Sequence, residues 1–517
     1  MTDTQSRTLI IGGGHNGLVC AAYLARAGQD VTVLEATEHL GGAAATREFA
    51  PGFQVSAGAH LLYQLDAGIR KELALDSHGL QLAAAGLSTI ALDADGQFLR
   101  INGAQLDGPG ALPEDQAALV EYERMMGRFA GIIGRLNNRK PMRVGTTERS
   151  DLMALARLGL DIRRMGKADM REFLRIAGIN VFDVLQEFFV DERLKGALSL
   201  DGVLGTFLGT RSNNSVFCAL HRRSQGGSYD LPAGGMGRVS EAIAASARSA
   251  GAEIRTGCRV KRILLDFNRV CGVELEDGEV IKAGRVVSNA DPKQTFSKLL
   301  GARHLEAGFA HRIHNIRSNG CAAKLHLALD ELPEFNGLPR EMAGERLLIA
   351  PSLQYVEHAF NHAKYGEFSA SPVMEITIPT VHDPQLAPDG SHVLSAVVQW
   401  APHNLKQGWS EAKVAFTGAV MDVLAQYDPA IRGKTRFTEM LTPADLEASF
   451  GMTGGHWHHA EMTMDQFMMM RPVPGAAQYK TPVTGLWLCG AGSHPGGGVM
   501  GCAGRNAARA MLETGRS

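Results

Sequence analysis

The chain has 517 residues, of which 45% are hydrophobic and 21% are charged, and its formal net charge is −2. This length is too great for a single core and predicts two or three domains. The near-neutral charge gives no reason to expect a nucleic-acid partner, and no uncharged apolar run is long enough to cross a bilayer.

A dinucleotide-binding βαβ unit is predicted near the N-terminus. Residues 8–11 form an apolar strand, and the sequence GGGHNG at 12–17 leads into a helical run that ends at residue 27. In this setting Gly12 permits a tight turn, Gly14 lets the backbone approach a pyrophosphate, and Gly17 lets the helix pack closely on the strand. A second strand, 31–34, ends at Glu35, where a carboxylate can accept hydrogen bonds from a ribose 2′-OH.

The remaining elements alternate between this fold and inserted segments. Residues 69–217 are mainly helical in pattern, with runs at 113–136 and 150–176. The nucleotide fold resumes at 229 with a helix over 239–249, a strand around 260–263, a hairpin over 272–280 and a strand at 286–291. Strands at 321–328, 373–378 and 392–399 and a helix at 410–427 follow. A strand at 485–490, a glycine turn and a helix over 499–511 end the chain.

Several sequence motifs point to one group of flavoproteins. They are GGGHNGLV at 12–19, GGAA at 41–44, LTPADLE at 441–447, RPVP at 471–474 and GSHPGGGVMG at 492–501. The chain resembles the phytoene desaturase-related flavoproteins, most closely the pyridine nucleotide-disulphide oxidoreductase domain protein 2 group. The "E, then GG, then T" pattern over 35–46 resembles the extension of the same superfamily. The resemblance implies an FAD-dependent oxidoreductase that holds FAD without a covalent bond.

The implied fold class is α/β, an FAD-binding Rossmann-like domain of the GR2 type with an inserted α+β substrate domain. We expect the FAD-binding domain to comprise 1–68, 229–300 and 475–517. The substrate domain comprises 69–228, mainly helical, and 301–474, of mixed sheet and helix. The residues expected to bind the cofactor are Gly12, Gly14, His15, Asn16, Gly17, Glu35, Gly41, Gly42, Ala43, Val260, Asn289, Gly490, Gly492, Val499 and Met500.

The leading hypothesis for the reaction is dehydrogenation of a C–C bond in an apolar, isoprenoid or acyl-like substrate, with hydride transfer to flavin N5. Amine oxidases of this superfamily usually carry Arg after the Gly-Gly pair, where this chain has Ala43, so amine oxidation is the less favoured alternative. A redox-neutral flavin isomerase and a non-catalytic flavin-holding interaction protein are further alternatives. Since no second dinucleotide motif follows, the electron acceptor is expected to be oxygen, a quinone or another carrier.

Three side chains are candidates for general acid or base. His60 and His459 lie on segments expected near the flavin, and Glu461 is a third candidate. His456, His458 and His459 also raise the question of a metal site, but only Glu461 has ligand spacing to them, so no metal is expected. The seven scattered cysteines contain no C-x-x-C pair, which favours reduced thiols.

The segment 131–175 is unusually basic, with eleven Lys and Arg residues against five acids and with leucines and methionines between them. Such a segment is typical either of a lid helix packed on the substrate domain or of a peripheral helix on anionic headgroups. The first strand begins near residue 8, so a cytoplasmic location is expected, with peripheral membrane contact as the second interpretation of this segment. The sequence gives no indication of oligomeric state.

Overall fold

The structure, a computed structural model, describes residues 6–143 and 145–514. A five-stranded parallel sheet carries the glycine motif. Its strands, in spatial order, are β10 (Glu253–Arg255), β2 (Val31–Leu34), β1 (Thr8–Ile11), β14 (Arg285–Ser288) and β20 (Leu486–Leu488). The strands come from three separate stretches of chain, one in each of the segments that the sequence assigns to the FAD-binding domain.

Helices cover this sheet at very short range. Helix α1 (His15–Arg26) packs against α9 (Gly237–Ser249) and α15 (Cys502–Thr514). A Cβ atom on Gly17 would lie 2.3 Å from the carbonyl oxygen of Gly12, and one on Gly504 would lie 2.1 Å from that of Asn16. Gly17 therefore has the packing role that the motif predicts. Helix α15 begins at Cys502, later than the predicted start at residue 499.

An eight-stranded sheet forms the second layer of the molecule. In spatial order its strands are β19 (Thr435–Leu441), β15 (Ala322–Leu329), β18 (His392–Gln399), β17 (Val373–Thr377), β16 (Arg346–Ile349), β6 (Thr89–Leu92), β7 (Phe98–Asn102) and β8 (Gln105–Asp107). All neighbours are antiparallel except β16 and β6. Helix α12 (Trp409–Tyr427) packs on one face, where Phe416, Val420 and Leu424 join the core.

The prediction that 69–228 is mainly helical is wrong for the stretch from Leu82 to Asp107, which contains strands β5 (Leu82–Ala84), β6, β7 and β8. The rest of that segment is helical: α2 (Ala67–Glu72), α3 (Pro113–Asn137), α4 (Arg149–Arg164), α5 (Lys167–Ile176), α6 (Val181–Phe188), α7 (Glu192–Val203) and α8 (Ser215–Arg222). The predicted continuous helix over 150–176 is broken at Gly166, whose φ of 90° is outside helical geometry.

The remaining elements are short connections around the two large sheets. They are β3 (Thr46–Ala50), β4 (Phe53–Ser56), β9 (Leu231–Pro232), β11 (Val260–Asp266), β12 (Arg269–Leu275), β13 (Val280–Lys282), α10 (Ala307–His314), α11 (Leu353–Lys364), α13 (Ile431–Lys434) and α14 (Pro443–Phe450), with a π-helix at Gln294–Gly301. Strands β12 and β13 form the predicted hairpin. All seven cysteines are free thiols, as predicted. Among the described residues, no helix has the length and apolar character needed to span a membrane.

Candidate functional site

A cavity of about 700 Å³ lies between the two large sheets. One wall contains Ile11 and Leu34, the last residues of β1 and β2, and Asn289, which directly follows β14. The opposite wall contains Lys324 and Glu375 on the eight-stranded sheet. Ligands of open parallel sheets bind at the carboxyl ends of the strands, so the cavity occupies the expected position for a dinucleotide.

Glycines form the floor of the cavity where the first strand meets the first helix. Gly12 has a φ of 95°, and Gly14 is the N-terminal cap residue of α1. No side chain caps this helix, so amides of its first turn remain available to an anion. A Cβ atom on Gly14 would lie 2.7 Å from Nδ2 of Asn289, which shows how little space the backbone leaves. This cradle fits the pyrophosphate of a dinucleotide.

Glu35 is held in place at the end of β2 by the chain itself. Its carboxylate accepts hydrogen bonds from the backbone amide of Gly13 at 2.7 Å and from the backbone amide and hydroxyl of Thr37, each at 2.9 Å. Because a carboxylate offers about four acceptor positions, it can also accept from a ribose hydroxyl in the cavity. Cys258, Arg259 and Val260 complete the wall beside it. Glu35 thus shapes the glycine turn in addition to its predicted role.

The structure brings most predicted cofactor residues to the cavity wall. Those on the wall are Gly12, Gly14, His15, Asn16, Glu35, Gly41, Gly42, Ala43, Val260, Asn289 and Val499. Gly17, Gly490, Gly492 and Met500 are absent from the wall. Gly490 packs under it, since its Cβ would lie 2.4 Å from the carbonyl oxygen of Asn289. Met500 is fully buried in the core around α1, so it supports the site without lining it.

Ionisable side chains form a buried cluster on the wall opposite the glycines. Lys324 donates from Nζ to Nδ1 of His60 at 2.7 Å, and Nε2 of His60 lies 3.2 Å from Oε1 of Glu375. Since Nδ1 accepts, Nε2 carries the ring proton and donates to the carboxylate. Oε2 of Glu375 accepts from Nη2 of Arg222 and from Nε of Arg346, both at 2.6 Å. Both ring nitrogens of His60 are therefore engaged.

Sheet register explains why these residues meet. Val397 on β18 is opposite Lys324 of β15 on one side and opposite Glu375 of β17 on the other. Residues opposite one another across neighbouring strands point to the same face of a sheet. Lys324, Val397 and Glu375 all line the cavity. Sequence reasoning missed Lys324, although a lysine within the otherwise apolar strand AAKLHLAL was a detectable signal.

The charge states of the cluster follow from burial and from the two arginines. Burial lowers the pKa of Lys324 well below its ordinary value, and the nearby carboxylate of Glu375 offsets this only in part. Burial and Lys324 together lower the pKa of His60 to about 4. Burial alone would raise the pKa of Glu375, but Arg222 and Arg346 hold it well below its usual range. The cluster therefore favours an uncharged amine and imidazole beside an ionised carboxylate.

His459 also lies on the cavity wall, but in a different environment from His60. Its Nδ1 is buried and has no hydrogen-bond partner among the described residues, as is the case for Nδ1 of His458 and Oδ1 of Asn16 on the same wall. Buried polar atoms normally have partners, so these three atoms fit a cavity that holds a polar ligand. Burial and Arg471 lower the pKa of His459, against the opposing effect of Asp291.

Glu461, the third predicted acid or base, does not line the cavity. Its Oε2 pairs with Nε of Arg317 at 3.0 Å, and its Oε1 accepts from Asn319 at 2.7 Å. The carboxylate is thus engaged away from the site, and the structure does not support a catalytic role for it. The described residues contain no group of three or more His, Cys, Asp or Glu side chains placed to hold a metal ion.

Arg471 explains part of the RPVP motif. The side chain is fully buried and donates to the carbonyl oxygens of Glu461 and Gln466 at 3.0 and 3.2 Å, to that of Ala491 at 2.9 Å, and to that of His458. Burial lowers its pKa to about 9, which leaves the guanidinium charged at neutral pH. Arg471 therefore fastens the loop that carries His458 to the C-terminal glycine turn, and both border the cavity.

Comparison with known proteins agrees with this site. The model of the flavin-containing amine oxidoreductase family matches residues 17–512. Pyridine nucleotide-disulfide oxidoreductase domain-containing protein 2 of Rattus norvegicus is 34% identical, over 98% of this chain and 93% of its own. A limonene dehydrogenase polypeptide of Castellaniella defragrans is 26% identical, over 98% and 95% of the two chains. The solved structure of cyclohexylamine oxidase from Brevibacterium oxydans, 15% identical, has a TM-score of 0.60 and covers 99% of this chain and 100% of its own.

These findings confirm the predicted group, the α/β fold class and the flavin cofactor. The cavity supplies the cradle that such a cofactor needs, and the protein is an FAD-dependent oxidoreductase. The similarity to cyclohexylamine oxidase concerns the fold alone. The chain belongs to the flavin-containing amine oxidoreductase family.

Proposed function

We propose that the protein is a dehydrogenase that removes hydrogen from a C–C bond of an apolar, isoprenoid or acyl-like substrate, with FAD bound without a covalent link. The observation that supports this best is the state of the four carboxylates on the cavity wall. Glu35 and Asp291 accept from backbone amides, while Glu375 and Glu439 pair with arginines. None is free to bind the ammonium group of an amine substrate, which such a site would need.

Apolar side chains complete the part of the wall near the buried cluster. Leu204, Val397 and Trp457 pack together there, on three different segments of the chain. Leu446 and Phe450 of α14 line another part of the same cavity. Ligand sites with mostly apolar walls and few polar groups take apolar molecules and use the polar groups to orient them. This composition favours a hydrocarbon-like substrate.

FAD, when bound, supplies the acceptor for a hydride. The chain's own residues must then take a proton, and Lys324 is placed to do so. Its amine lies on the wall, favours the uncharged form and keeps a lone pair after it donates to His60. Protonation of Lys324 would be stabilised through His60 by the ionised Glu375. We therefore propose Lys324 as the base and His60 as the residue that positions it.

The proposed function predicts that apolar donors, and not amines, reduce the bound flavin. The purified protein is expected to be yellow, and denaturation should release its FAD. Under anaerobic conditions an isoprenoid or acyl donor should bleach the flavin band and yield a product lacking one H₂ by mass spectrometry. NADH and NADPH are expected to bleach it slowly, since the sequence has no second dinucleotide motif.

The same experiment separates the alternatives. Bleaching by primary amines alone would assign the protein to the amine oxidases. A product of unchanged mass, formed only when the flavin is already reduced, would indicate an isomerase. Flavin that no donor reduces would indicate a flavin-holding protein without turnover.

A second prediction concerns His459, which has a φ of 60°. Replacement by Asn tolerates this backbone conformation and removes the imidazole. Because burial and Arg471 oppose protonation, we expect His459 to offer one neutral hydrogen bond rather than to act as the base. Loss of such a bond, about 1 kcal/mol, should lower kcat by about fivefold with unchanged FAD content. A loss of about 10²-fold or more would transfer the role of base from Lys324 to His459.

A further inference from the structure

The outer face of helix α4 carries cations and large apolar side chains together. Asp151 is the one buried residue of this helix. On its solvent side, Leu152, Met153 and Leu160 are 49%, 53% and 44% exposed. Helical spacing places four arginines on the same side: Arg149, Arg157, Arg163 and Arg164. No acid of α4, all of whose residues the structure describes, lies on that side, so this face combines exposed apolar area with positive charge alone.

The next helix, α5, extends this face. Its Leu174 is 64% exposed, and Lys167 and Arg171 are also exposed. We call the exposed residues of α4 and α5 the basic face, which comprises Arg149, Leu152, Met153, Arg157, Leu160, Arg163, Arg164, Lys167, Arg171 and Leu174.

Acids of this region do not neutralise the basic face. Asp161 pairs with Arg135, Asp169 with Arg128, Glu148 with Arg143 and Glu172 with Arg175. The cations of the basic face have no acidic partner among residues 6–143 and 145–514. Their charge is therefore available to an anionic surface.

Packing as a lid accounts for the inner side of α4 only. Leu158, Ile162 and Met165 pack partly against the helical core of the molecule. That contact explains why the segment is an amphipathic helix, but it leaves Leu152, Met153, Leu160 and Leu174 uncovered. Scattered apolar residues on a surface are ordinary, whereas several of them among unpaired cations on one face match the composition of helices that lie in a membrane interface.

We propose that the basic face docks the protein on anionic phospholipid bilayers. The cations would approach the headgroups, and the four exposed apolar side chains would enter the boundary with the acyl chains. Charge complementarity selects this occupant, since a neutral bilayer or an apolar protein groove would leave the cations unpaired. The attraction must weaken with salt, because exposed charges are screened within about 10 Å at 0.1 M ionic strength.

The test is sedimentation of the full-length protein with vesicles of phosphatidylcholine alone or mixed with phosphatidylserine, each at low and high salt. We expect binding to the anionic vesicles at low salt and its loss at high salt. The double variant Arg157→Glu and Arg164→Glu should bind anionic vesicles at least about tenfold less tightly. The variant Leu152→Ser and Leu160→Ser should also bind less, since insertion contributes.

The matched control is Arg248→Glu with Arg269→Glu, two exposed arginines of other elements that form no ion pair with an acid among the described residues. It changes the net charge by the same amount and should bind like the unmodified protein. Equal, salt-independent partitioning to both kinds of vesicle would overturn the proposal. So would equal losses in the control and in the Arg157 and Arg164 variant, because the effect would then come from net charge. Unchanged binding of the serine variant would overturn insertion.

Discussion

Replacement of Gly14 by valine is expected to give a folded protein that lacks FAD. A Cβ atom at this position would lie 2.7 Å from Nδ2 of Asn289, the end of a side chain that can move. The fold should therefore survive, but the added methyl groups would occupy the space where a pyrophosphate meets the helix N-terminus. Loss of one or two charged hydrogen bonds, about 1.5–3 kcal/mol each, should weaken FAD binding by about 10²-fold or more.

Flavin absorbance after purification and a reconstitution titration measure this effect, and circular dichroism checks the fold. Gly127→Ala is the matched control, because its added Cβ has no neighbour within 4 Å and lies on α3, away from the cavity. It should retain the flavin in full. A Gly14→Val protein with as much tightly held FAD as the unmodified chain would show that the pyrophosphate lies elsewhere.

Replacement of Lys324 by methionine is expected to lower turnover by about 10²–10⁴-fold, the usual effect of a lost general acid or base. Methionine has a similar length and suits a site that is 1% exposed, so the fold and FAD content should be retained. The cost to stability should be about 1–3 kcal/mol, because Nδ1 of His60 loses its donor. Steady-state kinetics, flavin content and thermal melting measure the three quantities.

Lys324→Arg separates a base from a positive charge. Arginine stays protonated in proteins, so it should restore turnover only if charge is what the site needs. With Lys324 as the base, this variant should be as slow as the methionine variant. In the unmodified protein, activity requires the uncharged amine and should fall as pH drops through the lowered pKa of Lys324. The methionine variant should lack that acid limb, and full activity in it would refute the role of Lys324.

Secondary structure was predictable where the determining contacts are local. The hairpin β12–β13 turns at Asp277 and Gly278, and β18 has the predicted bounds. Helix α12 begins one residue before its predicted start, at Trp409. The strands between Leu82 and Asp107 were missed because they pair with β16, more than 200 residues further along the chain, and that pairing leaves little trace in local composition.

The glycine motif and Glu35 were determined by the sequence itself. Steric limits on backbone conformation and on helix packing act within about 35 residues, so the residue types and spacing of this unit specify both its shape and its ligand class. The cluster around Lys324 was decided only by the tertiary structure. Its members lie on different segments, and the register of β15, β18 and β17 places them together. Their pKa values depend on burial and on Arg222 and Arg346, which no local pattern encodes.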